Sequence, residues 1–372
     1  MVFLYIIIFV YILFIIWVLD GYKNLVKNKK KHKIKNTFYI SIIVAARNEE
    51  NNIQNLLDSL LDQSLSHNNY EIIIVNDRST DNTKEIIKQS CKKYKNIKLI
   101  NISKTPENWT GKKWALYNGI KKSKGEICVQ TDADCIAKKR WLELLTEHFH
   151  DPSIGFVSSL TPLIGGNNLF EKLLCLDSIV QDGLSACILG KGLILSCTAR
   201  SMAYRKSFFY AAGGYNEIKN IISGDDDLML HKLVYYTGCK TKYVINKDAN
   251  ISSEPPKTLT EFINQRLRFA SKGMLYYKAR FISVELKIIL PFLYLANFMI
   301  VVSIIQFFQH PTFLLIIPFI FKSIADFVFL NTFQKGVDIK LDWISFMFLT
   351  ILHPFYVVIF GLLGPIARFK WK

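Results

Sequence analysis

The opening of the chain constrains it most. Residues Val2 to Leu19 read VFLYIIIFVYILFIIWVL without a charge. As a helix that run is roughly 27 Å long, enough to cross a bilayer with little tilt. A cleaved signal peptide would carry Lys or Arg ahead of the apolar stretch and a small-residue cleavage site behind it. Here no charge precedes the run, and KNLVKNKKKHKIK follows it from Lys23 to Lys35. The positive-inside rule therefore predicts a retained anchor with its N-terminus outside and the following segment in the cytoplasm. The lysines suit anionic lipid headgroups, each contributing on the order of 1 kcal/mol near the surface.

Half of the 372 residues are apolar, too many for an ordinary soluble enzyme and too few for a chain that is all membrane. From Phe38 to about Asn250, short β-branched runs alternate with amphipathic stretches. Tyr39–Ala46, Glu71–Asn76, Ile97–Ile102 and Glu126–Thr131 read as strands, and Glu49–Leu61, Asp81–Tyr94 and Lys112–Lys122 as helices. That alternation predicts an α/β fold, a mostly parallel sheet with helices on both faces, whose ligands sit at the carboxyl ends of the strands. Past Ser283 the chain turns apolar again. Leu286–Phe308, Thr312–Phe333 and Trp343–Leu363 are three further spans, the second interrupted by Pro318, Lys322 and Asp326. Three crossings from the cytoplasm would leave the basic tail RFKWK outside, against the same rule, which marks the second segment as the one that need not cross fully. The expected organisation is an anchor over 1–20, a basic linker over 21–37, a cytoplasmic domain over 38–256, an interfacial amphipathic helix over 257–283 and transmembrane helices over 284–366.

The net charge of +17 fits nucleic acid, anionic lipid or a phosphate-bearing substrate. The densest basic cluster adjoins a membrane span and no recognition motif for nucleic acid appears, so nucleic acid is not an expected partner and membrane lipid is. The cysteines, Cys91, Cys128, Cys135, Cys175, Cys187, Cys197 and Cys239, are odd in number and never at CxxC spacing. That points away from a zinc site or a disulfide framework and fits a reduced, cytosolic domain.

The chemistry-bearing residues gather where predicted strands end. The first strand runs into Ala46-Arg47-Asn48-Glu49 and the second into Asn76-Asp77-Arg78-Ser79-Thr80-Asp81. Carboxylates there can accept hydrogen bonds from a base or ribose, while Ser79, Thr80 and Asp81 equally make a helix N-cap cluster. The fourth strand runs into Thr131-Asp132-Ala133-Asp134. Two carboxylates one residue apart repel unless a cation or donors compensate. Hard oxygen ligands suit Mg2+ or Mn2+, which also bridge a diphosphate; a solvated turn is the plain alternative. Ser223-Gly224-Asp225-Asp226-Asp227-Leu228 can cap a helix or present a general base to an acceptor hydroxyl. Gln265-Arg266-Leu267-Arg268-Phe269 lies in an amphipathic stretch, Lys257–Phe281. Arginines at i and i+2 point to different sides of a helix, so one of them is placed to grip phosphate. The same stretch would equally lie among lipid headgroups.

In their order along the chain these pieces resemble glycosyltransferase family 2, inverting nucleotide-sugar enzymes of the GT-A fold, over about Phe38 to Lys278. ISIIVAARNEE resembles the family's first strand and loop, with Ala45 where a proline is usual. VNDRSTDNT resembles the uridine-binding VDDGSTD segment, with Asn76 replacing the first acid and Asp77 keeping the second. GKKWALYNG resembles GKxxALNxG, with Lys112 as the matched lysine and Tyr117 in place of the asparagine. Asp132 and Asp134 match the DxD. GDDDL resembles EDxDL, with Gly224 at the Glu position, Asp225 at the base position and Asp226 one residue away. QRLRF resembles the QxxRW motif of membrane-integrated members, with Phe269 for Trp, and Ala212-Gly213-Gly214-Tyr215 resembles the turn before the base motif.

The resemblance implies direct displacement at the anomeric carbon by a metal-dependent transferase. Ala46, Arg47, Glu49 and Asp77 would seat the nucleoside, with Lys112 and Asp132 on the donor and Asp134 on one Mg2+ or Mn2+. Asp225 or Asp226 would be the base, and Gln265, Arg266, Arg268 and Phe269 would serve the diphosphate and acceptor. It implies a nucleotide-sugar donor, commonly UDP-linked, a lipid-linked or glycan acceptor, and a bacterial inner membrane with the domain in the cytoplasm. Asp77, Asp134 and Asp225 are expected to meet around one divalent ion. A processive polysaccharide synthase belongs to the same class, but about four spans are few for a pore in one chain. Outside it, a membrane assembly protein with a degenerate transferase domain is allowed by Gly224, Tyr117 and Phe269.

Overall fold

The computed structural model describes residues 1–27, 38–166, 168–337 and 342–367. In chain order its elements are α1 (Val2–Lys27), β1 (Ile40–Ala46), α2 (Ile53–Leu61), β2 (Tyr70–Asp77), α3 (Thr83–Lys93), β3 (Ile97–Ile102), α4 (Gly111–Lys122), β4 (Ile127–Gln130), β5 (Ile136–Ala137), α5 (Trp141–Thr146) and β6 (Ile154–Ser159). There follow α6 (Leu169–Leu189), β7 (Met202–Arg205), α7 (Lys206–Ala211), α8 (Asp227–Thr237), β8 (Lys240–Val244), β9 (Ile251–Ser252), α9 (Leu259–Ala270), α10 (Gly273–Lys278), α11 (Val284–Gln309), α12 (Phe313–Val337) and α13 (Trp343–Leu363). They form two compact units, each discontinuous in sequence: Lys29–Ile164 with Ser196–Glu254, and Met1–Asn28 with Gly165–Leu195 and Pro255–Lys372.

The first unit is α/β. Its main sheet runs β3-β2-β1-β4-β7-β6-β8. Strands β3, β2, β1 and β4 are mutually parallel, β7 is antiparallel to β4 and β6, and β8 is again parallel to β6. Every residue of β2 is buried, as a strand covered on both faces must be. Alternate residues serve opposite layers: Ile72 and Ile74 join Leu56, Leu57 and Leu60 of α2, while Ile73 and Val75 join Ala115 of α4. Each such side chain removed from water contributes about 1.5–3 kcal/mol. The four expected strands are present, and so is the mostly parallel sheet. Strands β6, β7 and β8 were not read from the sequence: Met202–Arg205 holds no β-branched residue, and Gly155 interrupts Ile154–Ser159.

The second unit is apolar. Helix α1 buries Leu4, Ile8, Tyr11, Ile15, Val18 and Gly21, a stripe at three- and four-residue spacing that faces neighbouring helices. Its other faces expose Phe3, Ile6, Phe9, Leu13 and Ile16, the pattern of a helix whose remaining surface is covered by lipid. Among the described residues, four helices are long and apolar enough to cross a membrane: Val2–Lys27, Val284–Gln309, Phe313–Gln334 and Trp343–Leu363.

Three sequence expectations change in this unit. The interruption expected at Lys322 and Asp326 does not break α12: Lys322 Nζ donates to Asp326 Oδ2 at 2.7 Å, and the Tyr11 hydroxyl donates to Asp326 Oδ1. Paired in this way, an intramembrane charge is tolerated. Helix α6 belongs here and not to the α/β unit. It crosses α1 at close range, since a Cβ on Gly21 would lie 2.0 Å from the Cys187 carbonyl oxygen and one on Gly190 2.2 Å from that of Gly21. Small residues at a crossing permit such approach. The stretch expected as one interfacial helix is two, α9 and α10. The first part of the expected linker is the end of α1, while residues 28–37 and the tail 368–372 lie outside the described residues.

Candidate active site

At the carboxyl pole of the sheet the loops after β1 and β2 clasp one another. Asn48 N donates to Ser79 Oγ at 3.1 Å and Thr80 N to Asn48 Oδ1 at 2.9 Å. Glu49 N donates to Thr83 Oγ1 at 2.8 Å, Glu50 N to Asp81 Oδ2 at 3.1 Å, and Asn82 N to Glu50 Oε2 at 2.9 Å. Ser79, Thr80 and Asp81 therefore join two loops, and the N-cap of α3 is Asn82. Asn48 and Arg78 hold positive φ, 55° and 57°. Asn tolerates that region; for Arg it is strained by on the order of 1 kcal/mol. Ala46 is buried and Arg47 exposed, and the Glu49 carboxylate accepts from Asn52 Nδ2 at 2.7 Å.

Asp77 ends β2, buried, with Oδ1 accepting from Arg78 Nε at 2.8 Å. Against it lies Gly111, the first residue of α4: a Cβ there would fall 2.5 Å from Asp77 Oδ2. The next residue, Lys112, brings the remaining acids together. Its Nζ lies 2.8 Å from Asp132 Oδ1 and 2.8 Å from Asp225 Oδ2. Burial pushes the Asp225 carboxyl up, but the Lys112 and Lys113 charges and the hydrogen bond from Lys112 outweigh it and hold the group below the usual carboxylate range. Burial pulls the Lys112 ammonium down, and the two aspartates override it and raise it.

Lys113, which carried no signal of its own, is 1% exposed and donates to the carbonyls of Ile221 and Ser223. It ties α4 to the segment that delivers Asp225. Gly224 has φ 86°, and a Cβ on it would meet Leu228 at 2.4 Å, so the residue at the motif's usual glutamate position is here a backbone requirement. Asp226 caps α8: Oδ1 accepts from Asp227 N at 2.8 Å and Oδ2 from Ala199 N at 3.2 Å. Behind the site Gln130, at the end of β4, donates to the hydroxyls of Tyr204 and Tyr215 at 2.6 and 3.3 Å. Tyr117 packs with Trp109 and Trp114, ring centres 5.1 and 6.0 Å away.

The structure thus gathers Asp77, Gly111, Lys112, Asp132 and Asp225 at one pole. The cation that Asp132 and Asp225 share is a lysine. Among the described residues no group of three or more His, Cys, Asp or Glu is arranged to hold a metal by itself. Asp134 is exposed, with Cys135 Sγ 3.8 Å from its Oδ1. Such a hard-oxygen set fits an ion that takes one or two carboxylates and completes its shell with substrate phosphates, the usual habit of Mg2+.

Gln265, Arg266, Arg268 and Phe269 lie on α9 in the apolar unit. Arg266 is buried, with Nη2 donating to Asp177 Oδ2 at 2.7 Å. The Arg268 guanidinium carbon lies 5.0 Å from the Phe269 ring centre.

Residues 41–209 match the family model described as glycosyl transferase family 2. Among curated proteins, the chain is 26% identical over 263 residues to the Bacillus subtilis protein named "Probable glycosyltransferase YdaM", covering 70% of this chain and 61% of that one. It is 27% identical over 200 residues to the 4,4'-diaponeurosporenoate glycosyltransferase of Staphylococcus haemolyticus, 52% of each. The chain therefore spans 61% and 52% of those relatives' own lengths. Among solved structures it resembles the mannosyltransferase PcManGT from Pyrobaculum calidifontis in complex with GDP-Man and Mn2+, with a TM-score of 0.58 and 15% identity over 98% of both chains. The strand-end acids, the order of the motifs and these likenesses converge: residues 41–209 match glycosyl transferase family 2, and they lie within a GT-A fold.

Proposed function

We propose that the chain is an inverting glycosyltransferase that moves a sugar from a nucleotide-sugar, UDP-linked by the family's habit, to a lipid-linked or glycan acceptor at the cytoplasmic face of a bacterial inner membrane. The observation that carries it is the Lys112 ammonium held between Asp132 and Asp225, one residue from Gly111 and its contact with Asp77. A diphosphate entering this pole meets a cation already in place. In the mechanism, Asp77 and Glu49 seat the nucleoside with Ala46 and Arg47 beside them, Lys112 holds the donor phosphates, and Asp132 stands on the sugar-nucleotide side. Asp134 would hold Mg2+ or Mn2+, which when bound neutralises charge on the departing nucleoside diphosphate.

Asp225 is the base. Both Asp226 oxygens already accept backbone N–H groups, whereas Asp225 is ionised and paired with a lysine that the donor phosphates can claim. As the new bond forms, Asp225 takes the acceptor hydroxyl proton, an assistance worth about 10²–10⁴-fold in rate. Gln265, Arg268 and Phe269 on α9 serve the acceptor. The four long apolar helices and the lysines that follow the first support a lipid-linked acceptor and a cytoplasmic domain, and single transfer over a processive synthase. The neighbour solved with GDP-Man and Mn2+ supports a nucleotide-sugar donor and a divalent ion.

The test is sugar transfer by the purified protein in vesicles with Mn2+. Asp225→Asn should lose transfer about 10²–10⁴-fold with donor affinity close to wild type. Turnover at the wild-type rate in Asp225→Asn assigns the base elsewhere. Chelation should stop transfer reversibly, and full activity in chelator would remove Asp134 from its role.

A further inference from the structure

Three helices of the apolar unit meet at one carboxylate. Asp177, on α6, has a side chain 3% exposed and faces Arg266 of α9, 8% exposed. Oδ2 accepts from Arg266 Nη2 at 2.7 Å and from Gln181 Nε2 at 2.6 Å, and Oδ1 accepts the hydroxyl of Tyr356, on α13, at 2.6 Å. The guanidinium carbon lies 5.2, 5.7 and 5.9 Å from the ring centres of Phe262, Tyr356 and Phe269. A buried ion pair offers little net stability over apolar side chains of the same volume, but it tolerates few alternative geometries. Here it fixes the rotation of α9 about its own axis. Arg268 stands about 200° around the helix from Arg266, and both it and Gln265 remain partly exposed.

We propose that Asp177 and Tyr356 are positioning residues: through Arg266 they set the rotation of α9, and so the presentation of Gln265 and Arg268 to the acceptor in the transfer step. This rests on the glycosyltransferase reading and adds to it a device built from residues outside its motifs. Arg266 then acts through Asp177 and touches no substrate.

The experiment uses the full chain as wild type, Asp177→Asn and Tyr356→Phe in phosphatidylethanolamine–phosphatidylglycerol vesicles, doped with diacylglycerol or a polyprenyl phosphate. Hydrogen exchange over residues 259–270 reads how firmly α9 is held in place. UDP-glucose, UDP-N-acetylglucosamine and GDP-mannose, each with Mn2+, read the ratio of sugar transferred to donor hydrolysed. The expected result is faster exchange confined to α9, an unchanged donor KM, and a ratio lowered about 10- to 100-fold in Asp177→Asn and less in Tyr356→Phe. A merely structural role lowers the folded fraction, which cuts transfer and hydrolysis together and leaves their ratio alone. Unchanged α9 exchange in both variants, or an unchanged ratio, overturns the proposal. A wild-type protein that binds none of the nucleotide-sugars defeats the transferase reading itself and the role with it, a failure recognised without either variant.

Discussion

The two ends of the main sheet are built from the same strands and differ in kind. At the amino end, Glu71 of β2 is 1% exposed, and its carboxylate accepts from the Ser41 hydroxyl at 2.7 Å, from Lys124 N and from Lys98 Nζ. Ser41 Oγ in turn accepts from Gly125 N at 2.8 Å. Each of these polar groups has a partner within the protein. At the carboxyl end, Asn48 and Arg78 hold left-handed backbone, Asp132 and Asp225 share one lysine, and Asp134 is exposed. A closed network stabilises; an arrangement with an exposed carboxylate, one strained residue and a shared cation is ready for a ligand.

Substitutions at the two ends should therefore separate rate from stability. The largest effect on rate belongs to Asp225→Asn, as set out above; because Lys112 holds the carboxylate ionised, the variant also loses on the order of 1–3 kcal/mol, and its rate is read per folded molecule. Lys112→Met should follow. It leaves Asp225 buried without its cation, so the protein loses donor affinity and also melts several degrees lower, on the order of 1–3 kcal/mol. Donor titration and a melt of the same sample check both, and a Lys112→Met protein with wild-type affinity would place the phosphates elsewhere. Glu71→Gln should cost about 1–3 kcal/mol and leave transfer per folded molecule unchanged. Burial pushes the Glu71 carboxyl up, but Lys98, Lys124 N and Ser41 outweigh it and hold it low. Its contribution is therefore complete above its unfolded value of about 4.3 and is lost as pH falls through the lower folded value. Melts of the variant and wild type should differ at pH 7 and converge in acid. The smallest effect is Arg78→Gly. Relief of the positive φ is worth on the order of 1 kcal/mol and is offset in part by the lost Arg78–Asp77 pair, so a rise of a few degrees or no change is expected.

Legibility followed the same division. Strands β1 to β4 were readable because each is rich in Ile or Val, and the site acids were readable because they stand where those runs stop. Glu71 was not singled out, since an acid opening a strand has no pattern until its three partners are known. Lys113 was missed because it bonds carbonyls of Ile221 and Ser223, more than a hundred residues away, and a backbone partner leaves no mark in the sequence. Helix α6 was assigned to the wrong unit for a related reason. The partners of its Asp177, Arg266 and Tyr356, stand 89 and 179 residues further on, and such pairing leaves no local pattern. Arg268 and Arg266 were rightly expected to face different ways, but their periodicity could not say which one Asp177 would take.

The central claim is that the carboxyl end of this sheet binds a nucleotide-sugar and the amino end does not contribute. Its most direct test is ligand-induced stabilisation: the rise in melting temperature on adding a saturating nucleotide-sugar with Mn2+, compared between Glu71→Gln and Asp77→Ala. Mass action raises the melting temperature of any protein that still binds. The account predicts that Glu71→Gln, though less stable, keeps the full rise, and that Asp77→Ala loses most of it. A full rise in Asp77→Ala, or no rise in the wild type with any nucleotide-sugar, would contradict it.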